Sequence, residues 1–230
     1  PESASSLSQT RSSSRLPMIS LDEAITVTGT PKTALERADL VLAAVPTQFV
    51  RPVWEGLAPA IREHAPSAGI ISVAKGIENS TLLRPTQVIS QCMGEDDPRP
   101  TGVLSGPTIA SELARGLPAT MIAASDDQSL AEATQRLFAT AYPGIYTSQD
   151  PIGVEVAGAC KNVIAIAAGI LDGLKAGFNA KSALLARGLA EATRLGLAMG
   201  AQAETFYGLA GAGDLATTCF SPEGRNRSCG

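Results

Sequence analysis

Between about residues 25 and 148, short apolar runs alternate with stretches whose apolar residues recur every three or four positions. ADLVLAAVP (38–46), AGIISVAKG (68–76) and GVLSGPT (102–108) read as strands buried on both faces, with ATMIAAS (119–125) and GIYTS (144–148) as further strands. QFVRPVWEGLAPAIREH, TLLRPTQVISQCMG, IASELARG and SLAEATQRLFATA, which lie between them, carry helical spacing. Strands alternating with helices predict an α/β unit with a mostly parallel sheet. Ligands bind such sheets beyond the carboxyl ends of the strands, here AVPTQ, SVAKG and LSGPT.

After Asp150 the pattern becomes all-helical, over 152–174, about 180–200 and 203–209. GLAGAGDLATTC (208–219) begins either a loop or a new helix. The fold class is therefore α/β followed by all-α, with a boundary near the QDP turn that separates 1–149 from 150–230. No GxGxxG follows a strand; GLAGAGDL comes close but sits after helices. The Ser-rich PESASSLSQTRSSSR reads as a disordered leader or the tail of something longer. It shares Arg and Ser with transit peptides, without a start Met or an amphipathic pattern. Both ends read as those of a partial chain.

The net charge of −4 gives no reason to expect nucleic acid or an anionic membrane as partner. The longest apolar run is broken by Lys161 and Asn162 and reads as a buried helix rather than a membrane span. Four cysteines without a CxxC and a single histidine, His64, leave no metal site. The thiols suit a reduced, cytoplasmic protein.

Lys161 raises the sharpest chemical question. Its helical neighbours Ala157, Gly158, Ile164 and Ala165 are uncharged, and Glu155 falls on a different side. An unpartnered buried ammonium is costly, so Lys161 meets a distant charge, opens to a cleft, gives up its proton, or snorkels to the surface. Lys75 ends a strand and points either into the ligand crevice or into solvent. In SGPTIASELARG, Thr108 is a candidate N-cap whose neighbouring amides suit an anion, although taken alone the stretch reads more readily as an ordinary strand-to-helix turn. Asp214 and the Arg225-Asn226-Arg227 run offer an acid and phosphate-matching donors, or a solvated basic turn.

AVPTQF, SVAKGIE, VLSGPTIASELARGLPA, IGVEVAGACKNVIAIAAGILDGL and the segment 187–230 together resemble NAD(P)-dependent glycerol-3-phosphate dehydrogenases of the bacterial type. The resemblance covers about residue 15 to 230. It implies a partial Rossmann-like, dinucleotide-binding domain followed by part of a helical substrate domain. It implies Lys161 as proton donor, with Lys75, Gly106, Thr108, Asp214, Gly224, Arg225 and Asn226 on the substrate side. Phe49, Lys75, Ala110 and Arg225 would contact the cofactor, NAD or NADP. Family members often carry Ser where this chain has Gly224, which puts a side-chain contact there in doubt. They also open with a strand and a GxGxxG loop that this sequence lacks, and they continue beyond its last residue.

The implied reaction is reversible hydride transfer between NAD(P)H and dihydroxyacetone phosphate, giving sn-glycerol 3-phosphate for glycerophospholipid supply. Asp214 would orient Lys161. Two other readings are a catalytically idle, phosphate-binding fragment and a related β-hydroxyacid dehydrogenase. The long helices after 150 would either pair two subunits in a homodimer or cover the core. Arg11 or Arg15 is a candidate for meeting a cofactor 2′-phosphate.

Overall fold

The computed structural model describes residues 4–14, 16–94, 96–140 and 144–230. The chain opens with α1 (Ala4–Thr10) and a small antiparallel ladder of β1 (Ser12–Ser13) and β2 (Leu16–Ser20). This replaces the disordered leader expected from serine content. Arg11 supplies part of the reason. Its amide bonds the Leu7 carbonyl at 3.0 Å, and its guanidinium holds the carbonyls of Leu21 and Ile25 at 3.3 and 2.9 Å. The same bonds commit Arg11 to the backbone rather than to a cofactor phosphate, while Arg15 lies outside the described residues.

The main sheet has five strands in chain order: β3 (Leu40–Ala43), β4 (Gly69–Ser72), β5 (Thr101–Ser105), β6 (Thr120–Ser125) and β7 (Gly144–Ser148). All neighbours pair in parallel except β5 and β6, which are antiparallel. The expected strands run longer than these ladders because their last residues leave the sheet as turns, and those turns carry the candidate residues.

Successive side chains of a strand point to opposite faces. Ile70 accordingly joins a core with Trp54 and Ile61 of α3 (Val50–His64) and Val88 and Ile89 of α4 (Pro85–Met93). Ile71 joins Leu104, Ile145 and Leu130 of α6 (Gln128–Phe138) on the other face. A short α2 (Pro31–Leu35) packs on α3, and α5 (Ala110–Ala114) follows β5. Helix α4 is shorter than its pattern because Leu82 takes a left-handed backbone at φ 60° and delays its start.

The helical part consists of α7 (Pro151–Gly173), α8 (Gly177–Ala198), α9 (Ala203–Tyr207), α10 (Asp214–Phe220) and α11 (Arg225–Cys229). The ambiguous glycine-rich stretch is a π-helical turn over Leu209–Gly213 that feeds directly into α10. Asp150 starts α7 by accepting from the Gly153 amide at 2.8 Å. Its other oxygen accepts from the Gln202 amide at 2.9 Å and the Thr205 hydroxyl at 2.6 Å, which ties α9 to the same point. By length and composition α7 would suit a membrane span, but half of its most apolar window is buried inside the protein, against the sheet, α8, α10 and α11.

Candidate functional site

Helix α7 runs from the amino-end edge of the sheet to its carboxyl edge and carries Lys161 there, 8% exposed. Its ammonium meets the Asp214 carboxylate directly and donates to the Thr218 hydroxyl at 3.0 Å. Lys75, just past β4, donates to the other Asp214 oxygen at 2.7 Å and to the Gly106 carbonyl at 3.1 Å. Two ammonium groups thus share one buried carboxylate. Asp214 is the first residue of α10, where the helix dipole favours negative charge. The π-helical turn before it places the carboxylate; a Cβ on Gly211 would overlap the Phe206 backbone.

Burial depresses the Lys161 pKa to about 8, the positive charge of Lys75 adds to the depression, and Asp214 opposes both. The partner charge that helical spacing could not supply comes from a residue 53 positions away. Snorkelling is excluded by the same geometry.

Gly106 has φ +139°, and a Cβ there would stand 2.8 Å from the Thr120 carbonyl oxygen, so the turn after β5 requires glycine. Thr108 is not the N-cap anticipated for α5: Ile109 holds that position, and the Thr108 hydroxyl leans on the Gly106 carbonyl at 3.4 Å. Ala110 is the first residue of α5 and is exposed.

Asn226 reaches the centre through Asn162, the residue after Lys161, with Nδ2 donating to Oδ1 at 2.7 Å. Arg225 is exposed and has no ion pair among the described residues, whereas Arg227 donates to Asp172 of α7 at 2.6 Å. Lys181 of α8 pairs with the same Asp172. Helix α11 sits so close to α7 that a Cβ on Gly169 would overlap the Arg227 carbonyl. Gly224 caps α11; a Cβ there would stand 2.8 Å from the Thr218 carbonyl oxygen, so the position makes its contribution through the backbone.

Phe49 closes a 3₁₀ turn after β3 and is 60% exposed. Gln48 pins that turn to the segment after Lys75, donating to the Ile77 carbonyl at 2.7 Å. The structure therefore joins Lys75, Gly106, Lys161 and Asp214 directly and links Asn226 to them through Asn162, whereas Arg225, Phe49 and Ala110 are exposed side chains.

Sequence reasoning passed over Thr218, Asn162 and Asp172. Each had a signal: Thr218 follows Asp214 by one helical turn, Asn162 adjoins Lys161, and Asp172 lies three turns beyond Lys161.

A Rossmann-like sheet whose carboxyl edge abuts a helical unit, with lysines from both parts on one acid, defines a two-part nucleotide-crevice α/β protein. Family models for the N-terminus and C-terminus of NAD-dependent glycerol-3-phosphate dehydrogenase match residues 1–131 and 150–230. The chain belongs to the NAD-dependent glycerol-3-phosphate dehydrogenase family. It is 46% identical over 215 residues to the glycerol-3-phosphate dehydrogenase [NAD(P)+] of Geobacter sulfurreducens, covering 94% of this chain and 63% of the relative. It is 46% identical over 235 residues to that of Nocardia farcinica, covering 100% and 69%. The crystal structure of the Coxiella burnetii glycerol-3-phosphate dehydrogenase superposes with a TM-score of 0.90 at 33% identity, over 97% of this chain and 67% of that one. The chain thus spans about two thirds of the length of these relatives.

Proposed function

We propose that this chain carries the substrate centre of an oxidoreductase that interconverts dihydroxyacetone phosphate and sn-glycerol 3-phosphate with NAD or NADP, in the cytoplasm. The observation that carries the reading is Lys161, buried, held by Asp214 and Thr218, with a pKa brought down to about 8. A proton donor works best when its pKa lies near the operating pH.

In this reading Arg225 and Asn226 bind the phosphate, fixing the substrate at a point remote from the reacting carbon. Gly106 and Thr108 line the wall opposite α7. Lys161 faces the C2 oxygen, stabilises the negative charge that develops there, and transfers its proton as the alcohol forms. Asp214 orients Lys161 and offsets its charge. In the reverse direction neutral Lys161 takes the proton from the C2 hydroxyl.

The crevice also suits a nicotinamide cofactor. Phe49 is exposed in the turn that Gln48 ties to Ile77, two residues past Lys75, and the buried hydroxyls of Thr47, after β3, and Ser105, at the end of β5, lack partners among the described residues. Phe49, Lys75, Ala110 and Arg225 are the residues that would hold the group. When bound, it supplies or accepts the hydride. Residues 1–149 then form the cofactor-side domain and 150–230 the substrate-side domain.

The test is Lys161→Ala, assayed by NADH oxidation with dihydroxyacetone phosphate and, separately, by NADH fluorescence titration. Turnover is expected to vanish while cofactor affinity stays within about twofold, less than 0.5 kcal/mol. Undiminished turnover would sink the assignment.

A further inference from the structure

Among the described residues, two buried side-chain oxygens have no hydrogen-bond partner, Thr47 Oγ1 and Ser105 Oγ. Such orphans are uncommon, because a dry, unpaired hydroxyl costs free energy that a partner would recover. Thr47 lies in the turn after β3 and Ser105 ends β5, the two strands that flank β4, whose exit carries Lys75. Thr47 Oγ1 lies against the backbone of Gly76, 2.8 Å from where a Cβ would be.

Ser105 is placed differently. It is the last residue of β5, 2% exposed, and faces α7. Its Oγ lies 3.7 Å from the point where a Cβ would stand on Gly158, and the Lys75 Cγ lies 3.6 Å from that same point. Ser105 Oγ, the stem of Lys75 and the bare backbone of Gly158 therefore enclose one small space. The Lys75 side chain that covers it is flexible and partly exposed. Gly158 precedes Lys161 by three residues, so the two share a face of α7.

We propose that Ser105 contacts the ligand, hydrogen-bonding the unphosphorylated terminal hydroxyl of the three-carbon substrate. This rests on the functional reading above, which puts the C2 oxygen at Lys161 and the phosphate at Arg225 and Asn226. Three levels are marked along α7: Gly158 beside Ser105, then Lys161, then Asn162, where Asn226 docks. A rise of about 1.5 Å per residue separates the first level from the last by roughly 6 Å along the axis, a span that a three-carbon chain bridges. A substrate with its phosphate toward Asn226 and its C2 oxygen at Lys161 brings its free end over Gly158. A hydroxyl both donates and accepts, which matches an alcohol. A site that buries an unpaired polar group also disfavours analogues unable to pair with it.

Ser105→Ala removes one oxygen that has no hydrogen-bond partner among the described residues. Calorimetric titration of the 230-residue protein with glycerol 3-phosphate and with propane-1,2-diol 1-phosphate, which lacks the terminal hydroxyl, tests the assignment. The native protein is expected to prefer glycerol 3-phosphate by about tenfold, and Ser105→Ala to bind both alike by losing affinity for glycerol 3-phosphate alone. The ligand-free variant should melt no lower than the native protein, whereas loss of a purely structural serine would lower its midpoint. A preference that survives in Ser105→Ala overturns the proposal and leaves the functional reading standing. So does a variant that loses affinity for NADH rather than for glycerol 3-phosphate. If the native protein binds neither phosphate compound, the functional reading falls and this assignment falls with it.

Discussion

Lys161 is kept in balance by opposed influences. Burial and the Lys75 charge push its proton off, and the Asp214 carboxylate holds it on. Removing the carboxylate tips that balance one way. Asp214→Asn is expected to lower the Lys161 pKa below about 8, so that the alkaline loss of ketone reduction moves toward neutral pH. A pH–rate profile reads the shift, and an NMR titration of the Lys161 side chain reads it without turnover. An alkaline limb that stays near 8 would show that Asp214 does not set it. The stability of the native protein carries the same signature. Lys161 is protonated in both states below about 8, whereas between about 8 and the ordinary lysine value of 10.5 the unfolded chain binds more protons. Its contribution to stability therefore rises with pH across that window. At this scale the sequence exposed the problem but not its solution. A lysine without a partner in helical reach was visible in GACKNVIAIAAG, while Asp214 arrives only through tertiary folding.

Helix α7 is the element that organises the molecule. Each of its polar residues has its own partner: Glu155 meets Arg84 and Thr86, Lys161 meets Asp214, Asn162 meets Asn226, and Asp172 meets Lys181 and Arg227. Glu155 is the most enclosed of these. Burial raises its pKa, and the Thr86 hydroxyl and the Arg84 charge pull against that. The Thr86 amide and hydroxyl donate to it at 2.9 and 2.6 Å, so helix α4 is locked to α7 two turns before Lys161. Taking away one member strands the other charge in the interior. Arg84→Met is expected to cost about 3–5 kcal/mol in urea unfolding, and Arg84→Met with Glu155→Leu distinctly less than Arg84→Met alone. Equal losses would mean that charge burial is not the origin of the effect. Apolar periodicity revealed α7 and the buried strands because each presents many residues to one core. It did not reveal α1 or α11. These are seven and five residues long and bury none of their residues, and α11 is held by the Asn226–Asn162 and Arg227–Asp172 bonds and by its close approach at Gly169. The Thr108 misreading has a similar origin, since one more extended residue, Ile109, precedes α5.

At the scale of the whole molecule, the composition change near residue 150 marks where the chain switches architecture, yet the packing crosses it. Val103 of β5, Ala124 of β6, Val154 of α7 and Ala210 of the π-helical turn form one buried cluster. The Asp214 cluster is split in the same way, with Lys75 and Gly106 on the sheet side and Lys161 and Asp214 on the helical side. Shared core and shared ion pairs predict that the two parts unfold as one unit. One signal reports on the sheet part alone and another on both parts. The single tryptophan, Trp54, is buried under the sheet, whereas helical ellipticity comes from the helices of both parts, α7 and α8 being the two longest. Thermal transitions followed by Trp54 fluorescence and by far-ultraviolet circular dichroism should coincide. Val154→Ala should cost about 2 kcal/mol and lower both midpoints together, by roughly 4–8 °C for a chain of this size. Two resolved transitions, or a Val154→Ala shift confined to the ellipticity signal, would show that the sheet and the helices are independent bodies. The Asp214 carboxylate would then hold its two lysines only while both bodies happened to be folded and docked.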